Sequence, residues 1–89
     1  MNYLLVRHKV AKFETWHSVF ASHAEAQRKA GLRLLHLLRV TADPNDVVML
    51  FEVNDPEKAK AFTGSPRAGE SAAISGVIGT PEVLFLTGQ

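Results

Sequence analysis

The stretch that decides the fold is Leu32-Arg33-Leu34-Leu35-His36-Leu37-Leu38-Arg39-Val40-Thr41, then Ala42-Asp43-Pro44-Asn45-Asp46, then Val47-Val48-Met49-Leu50-Phe51-Glu52-Val53-Asn54, closed by Asp55-Pro56-Glu57. The first and third parts are rich in Leu, Val and aromatic residues and have strand length. The five residues between them are turn formers: proline fixes φ, and Asp and Asn side chains bond nearby backbone. The pair therefore reads as a β-hairpin. Asp55 followed by Pro56 is a helix start, a capping carboxylate and then a proline where no N–H is needed.

Working outward, residues 12–30 read as one helix. Phe13, Trp16, Phe20, His23 and Gln27 recur at spacings of three and four, which puts them on one stripe. Gly31 is its natural stop, with Arg28 and Lys29 suited to the negative end of the helix dipole. Tyr3 to Val10 reads as the first strand, with Leu4, Val6, His8 and Val10 on one face. On the second strand the same rule places Leu32, Leu34, His36, Leu38 and Val40 on one face and Arg33, Leu35, Leu37 and Arg39 on the other. The second helix is expected from Asp55 to about Thr63, with another helical stretch from Ser65-Pro66 to about Ile74. Gly76, Gly79 and Pro81 make an irregular link, and Glu82 to Thr87 is the last strand. The order β-α-β-β-α-β is that of a ferredoxin-like α+β domain with a four-stranded antiparallel sheet, and residues 1–89 form a single domain.

The sheet pattern implies a partner. Helices on one side leave the other side of an antiparallel sheet to water, and such a sheet should alternate apolar and polar residues. Here Val48 and Leu50, Leu35 and Leu37, Tyr3 and Leu5, and the unbroken Val83-Leu84-Phe85-Leu86 leave both sides apolar. A second copy of the chain is the simplest cover. The chain is also short for a self-sufficient core, and without cysteine it has no disulfide or thiolate-zinc route to extra stability.

Net charge is +1, which exerts no global pull toward nucleic acid or anionic membrane. The charges are nonetheless uneven. Residues 1–45 carry seven Lys and Arg against three acids, and residues 46–89 carry three against six. Basic and aromatic residues do not interleave as on nucleic-acid platforms. The opening residues lack the apolar stretch of a signal peptide, and no apolar run reaches transmembrane length, so a cytoplasmic location is expected.

Several polar residues stand in apolar surroundings. His23 lies in the helix stripe about 20° from Trp16 at 100° per residue, and His8 interrupts an apolar strand face. Each reads either as a base or ligand contact, since imidazole titrates near neutral pH, or as a satisfied core histidine. His36 mirrors His8 on the second strand. Glu52 sits among apolar neighbours on the third, able to orient a histidine or to pair with Arg7 or Arg39. His17 falls on the stripe's edge and is expected to be exposed. His17 and His23 are six apart and do not share a helix face, whereas a two-histidine helical site needs a spacing of four. No ligand spacing supports a metal joining His8, His23 and Glu52, and no metal or cofactor is expected. Gly64-Ser65-Pro66-Arg67-Ala68-Gly69-Glu70-Ser71 has phosphate-loop spacing, but Glu70 replaces the lysine and puts negative charge where phosphate must sit. It reads as a helix break and cap.

Tyr3-Leu4-Leu5-Val6-Arg7-His8-Lys9-Val10, the Phe13, Trp16, Phe20, His23 series, Val47 to Val53 with Asp55-Pro56-Glu57-Lys58-Ala59, and the closing Pro81 to Leu86 together resemble the small dimeric α+β barrel proteins of the antibiotic-biosynthesis-monooxygenase-like group. The resemblance covers nearly the whole chain. It implies two ferredoxin-like sheets packed into a shared barrel, with a ligand cavity between helices and sheet in each subunit. It further implies a small-molecule-binding homodimer whose activity is cofactor-independent oxygenation, or isomerisation, of an enolisable or aromatic compound. His23 or His8 would be the base, and Trp16, Phe20, Phe51, Glu52 and His36 would line the pocket. Relatives that degrade haem rely on an Asn–Trp–His set, and the middle of the first strand carries no Asn to complete it. The alternative is a non-enzymatic binding or assembly module with structural histidines.

Overall fold

The computed structural model describes residues 1–63 and 76–89, with Thr80 described by its backbone alone. The elements are β1 (Asn2–Val10), α1 (Phe13–Ser22), α2 (Ala24–Lys29), β2 (Leu32–Val40), β3 (Asp43–Val53), α3 (Pro56–Thr63) and β4 (Val77–Thr87). The strands form one antiparallel sheet in the order β2-β3-β1-β4. The expected ferredoxin-like arrangement is therefore present. The helical stretch expected from Ser65-Pro66 to Ile74, and the phosphate-loop look-alike, lie outside the described residues.

Three boundaries differ from the sequence reading. The single helix expected over residues 12–30 is two helices. Ser22 Oγ donates to the Val19 carbonyl at 2.6 Å, and His23 takes φ −101°, ψ 9°, so the α-helical path is interrupted there. The β2–β3 turn is shorter than Ala42–Asp46, because Val40 already pairs with Asp43 and only Thr41 and Ala42 turn. The Asx chemistry survives inside the strand, where the Asn45 N–H donates to Asp43 Oδ1 at 3.1 Å. Pro44 is tolerated because β1 reaches along β3 only as far as Asp46. β4 likewise begins at Val77, inside the glycine-containing link and ahead of the expected Glu82, as an edge strand that can hold Pro81.

Local signals account for the other ends. Asp55 Oδ1 accepts from the Glu57 and Lys58 N–H groups at 3.1 and 3.3 Å, which caps α3. Gly31 ends α2 with φ +77°, a left-handed conformation that other residues adopt at a cost. Its carbonyl accepts from the Asn54 N–H at 2.8 Å, which ties the helix end to the end of β3.

The core lies between the helices and one face of the sheet: Leu4 and Val10 of β1, Leu32 of β2, Val47, Met49, Phe51 and Val53 of β3, with Trp16 and Ala59 from the helices. The opposite face carries a row across three strands in which Leu5 is flanked by Leu50 and Leu84. Leu38, Leu84 and Leu86 on that face are 54%, 46% and 40% exposed. This is the two-sided apolar sheet expected from the sequence. No described helix is long and apolar enough to cross a membrane.

Candidate functional site

Strand β1 sits between β3 and β4, and its side chains alternate between the two sheet faces. Leu4 and Val10 are buried in the core, so His8, in phase with them, points toward the helices. There its ring meets Trp16 edge-on, with centroids 5.4 Å apart and planes at 77°. Trp16 is only 3% exposed and anchors an aromatic cluster. Phe20 stacks on it at 4.9 Å and leads to Phe51 at 6.4 Å. On its other side Phe13 lies at 5.8 Å, and His17 stacks on Phe13 at 5.5 Å. Stacked and edge-on arrangements at these distances suit the ring quadrupoles.

His8 is the polar atom source in this apolar box. Its Nε2 is buried and has no hydrogen-bond partner among the described residues, although buried polar atoms are nearly always paired. Burial pushes its pKa below the ordinary 6.5, and the Asp46 carboxylate only partly opposes this. The imidazole is therefore neutral at neutral pH and can accept a proton. The backbone at His8 is also unusual. Arg7 pairs with Glu82 and Lys9 with Ile78, so β4 bulges over residues 79–81 and gives His8 no partner there. Gly79 makes this possible with φ +73°. Bulges of this kind commonly re-aim side chains next to functional sites.

The other sequence-predicted residues fall in different places. Phe20 and Phe51 join Trp16 as described. His23 is half-buried at the α1–α2 junction, its backbone N–H donating to the Phe20 carbonyl at 3.1 Å. His17 is exposed, as expected. His36 was expected to share a face with Leu32 and Leu34, and the structure corrects that placement. A bulge at Leu35 shifts the register between Leu34 and His36, so Leu37 and Arg39 continue the helix-facing side and His36 turns to the open one. Glu52 also lies on the open side, opposite Tyr3 on β1 and Arg33 on β2. The structure therefore does not bring His36 and Glu52 to Trp16.

Nor does Glu52 pair with Arg7. That guanidinium makes a two-pronged contact with Asp46, at 3.1 Å from Nε and 2.8 Å from Nη2. Asp46 is 4% exposed, and the Arg7 hydrogen bond holds its pKa below the ordinary carboxylate value. Lys9 reaches Asp43 at 3.5 Å. Arg39 takes none of these acids. Its guanidinium carbon lies 3.8 Å from the Phe13 ring centroid, and its Nε donates to the Pro44 carbonyl at 2.8 Å.

The positions of Arg39 and Asp46 escaped the sequence reading for different reasons. Strict alternation put Arg39 on the wrong face, and no local signal marks the bulge that moves it. Asp46 was absorbed into a turn that proved shorter. Among the described residues, no three His, Asp or Glu side chains gather as a metal site requires.

No family model matches the sequence, and no curated protein matches it. Solved structures do match. SnoaB from Streptomyces nogalater, described as a cofactor-independent oxygenase, superposes with TM-score 0.77 at 22% identity, covering 99% of this chain and 92% of SnoaB. A Bordetella bronchiseptica protein, assigned by name only to the antibiotic biosynthesis monooxygenases, gives TM-score 0.78 at 13% identity, covering 99% and 96% of the two chains. A conserved protein from Methanosarcina mazei Go1 gives 0.75 at 15%, covering 99% and 92%. Identities this low speak to architecture, and over 99% of the chain the architecture agrees: it has the same ferredoxin-like α+β fold as these solved structures.

Proposed function

We propose that the protein is a homodimeric small-molecule-binding protein that oxygenates an enolisable or aromatic compound without a cofactor, at the cluster formed by His8, Trp16, Phe20 and Phe51. One observation carries this reading: the unpartnered, buried Nε2 of His8 set against the Trp16 ring. A neutral imidazole in an apolar site is suited to take the acidic proton of an enol or phenol. The anion left behind is electron-rich enough to react directly with dioxygen. Where that carbon carries two hydrogens, one oxygen atom enters a new carbonyl and the other leaves as water. The substrate then supplies all the electrons, and no external reductant is required. Aromatic walls fit a flat substrate, as apolar pockets with few polar groups do generally. The likeness in fold to a cofactor-independent oxygenase supports the same reading.

The test is dioxygen uptake with an enolisable tricyclic ketone, anthrone, as probe. The wild type should consume dioxygen, and His8→Ala should lower the rate by about 100-fold or more, the usual weight of a general base. His23→Ala should leave the rate near wild type. An undiminished rate in His8→Ala would sink the assignment, and a loss confined to His23→Ala would move the base to the α1–α2 junction.

The homodimer rests on the open sheet face. Covering roughly 800 Å² per subunit is typical of a stable pair, and the row of Leu5, Leu50 and Leu84 lies at the centre of the available surface. Light scattering at micromolar concentration should give twice the mass of the chain, and Leu50→Lys should return it to the monomer mass. A wild-type monomer would remove the proposal.

A further inference from the structure

We infer that Arg39 is a specificity-determining residue that binds an anionic group of the substrate, which makes the substrate an aromatic acid and not a neutral phenol. The inference rests on the ligand site proposed above and deepens it. In the sheet, Val47 pairs with His8 on one side and with Arg39 on the other. His8 and Arg39 therefore face the helices from the same row, two strand spacings or roughly 10 Å apart. Between them runs a wall of rings. Arg39 covers Phe13 at 3.8 Å, Phe13 lies 5.8 Å from Trp16, and Trp16 lies 5.4 Å from His8. One end of this row presents the buried Nε2 of a half-buried histidine, and the other is exposed and cationic.

The charge at Arg39 is uncommitted. The two aspartates near the hairpin turn are occupied, Asp46 by Arg7 and Asp43 by Lys9, and Glu52 lies on the opposite sheet face. Among the described residues Arg39 makes no ion pair. It is instead held in place by its stack on Phe13 and by one backbone acceptor, which fix the orientation of the guanidinium plane without neutralising it. A planar cation fixed in this way is suited to receive a carboxylate through its remaining N–H groups. A fused-ring acid then lies along the Phe13–Trp16 wall, with its carboxylate at Arg39 and its enolic end toward His8.

The test is a calorimetric titration with two probes of the same ring, 6-hydroxy-2-naphthoate, whose hydroxyl and carboxylate stand at opposite ends, and 2-naphthol. The single tryptophan gives one indole N–H resonance, which reports whether either probe reaches the cluster. The wild type should bind the carboxylate about tenfold or more tightly than the naphthol, as expected for a hydrogen bond between charged groups. Arg39→Met keeps an apolar stem over Phe13 and should abolish that preference while leaving naphthol affinity unchanged. Arg39→Lys should retain part of it. Equal binding of both probes to the wild type, or equal weakening of both in Arg39→Met, would overturn the role of Arg39 and leave the ligand site standing. Failure of both probes to bind or to shift the indole resonance would overturn both.

Discussion

The His8 imidazole meets the Trp16 indole edge-on at 5.4 Å, and the Nε2 of that imidazole is buried without a partner. A buried polar atom left unsatisfied costs about 1–3 kcal/mol, whereas an apolar replacement of similar shape removes the penalty. His8→Leu should therefore raise unfolding stability at pH 7.5, by about 1 kcal/mol, while removing the proposed base. pH gives a second readout. Burial sets the folded pKa of His8 below the ordinary 6.5. Between the two values the unfolded chain holds a proton that the folded chain does not. The contribution of neutral His8 to stability is thus fully present above about pH 6.5 and is lost as the pH falls toward the folded value. Urea titrations at pH 7.5 and 5.5 should show this loss in the wild type and a smaller one in His8→Leu.

Trp16 sits at the centre of the aromatic cluster. It is 3% exposed and touches the rings of Phe13, His8, His17 and Phe20. Trp16→Ala should cost about 3–5 kcal/mol, a large part of the stability of a domain this size. Trp16→Phe should cost less, because it keeps an aromatic ring in the cluster. Circular dichroism during urea unfolding measures both without relying on the lost fluorophore.

The Arg7–Asp46 pair predicts an acid limb. The Arg7 hydrogen bond holds the Asp46 carboxyl below its ordinary 3.8. Its contribution is present above the unfolded value and is lost as the pH falls through the folded one. Asp46→Asn should lower the unfolding midpoint at pH 7 and flatten the decline in midpoint below about pH 4. An unaltered acid limb in the variant would assign that limb to other carboxylates.

Gly31 offers a test of backbone strain separated from contact. At φ +77° an alanine pays about 1–2 kcal/mol for the left-handed conformation. A Cβ there also stands 3.1 Å from the Asp55 backbone nitrogen and 3.4 Å from its Cβ. Gly79, at φ +73°, has nothing among the described residues within 4 Å of the same atom. Gly31→Ala should therefore lower the thermal midpoint more than Gly79→Ala, and the difference measures the contact with α3.

Much of the fold was legible because its signals are local. The Asp55-Pro56 cap, the Gly31 stop and the hairpin between β2 and β3 each follow from what a few neighbouring residues do to the backbone. The order of elements and the two apolar sheet faces follow from periodicity, and so does the stripe that holds Phe13, Trp16 and Phe20 together. The site was legible only in part. Both faces of β1 are apolar, so the sequence alone could not say whether His8 looks toward the helices or away. That was decided by the packing of α1, which brings Trp16 over it. His36 and Arg39 exchanged sides because of one extra residue in β2 at Leu35. A bulge is a property of how two strands pair, and neither strand carries it in its own pattern. Composition and periodicity thus determined the architecture and the two apolar sheet faces, while tertiary pairing decided which polar residues meet the aromatic cluster.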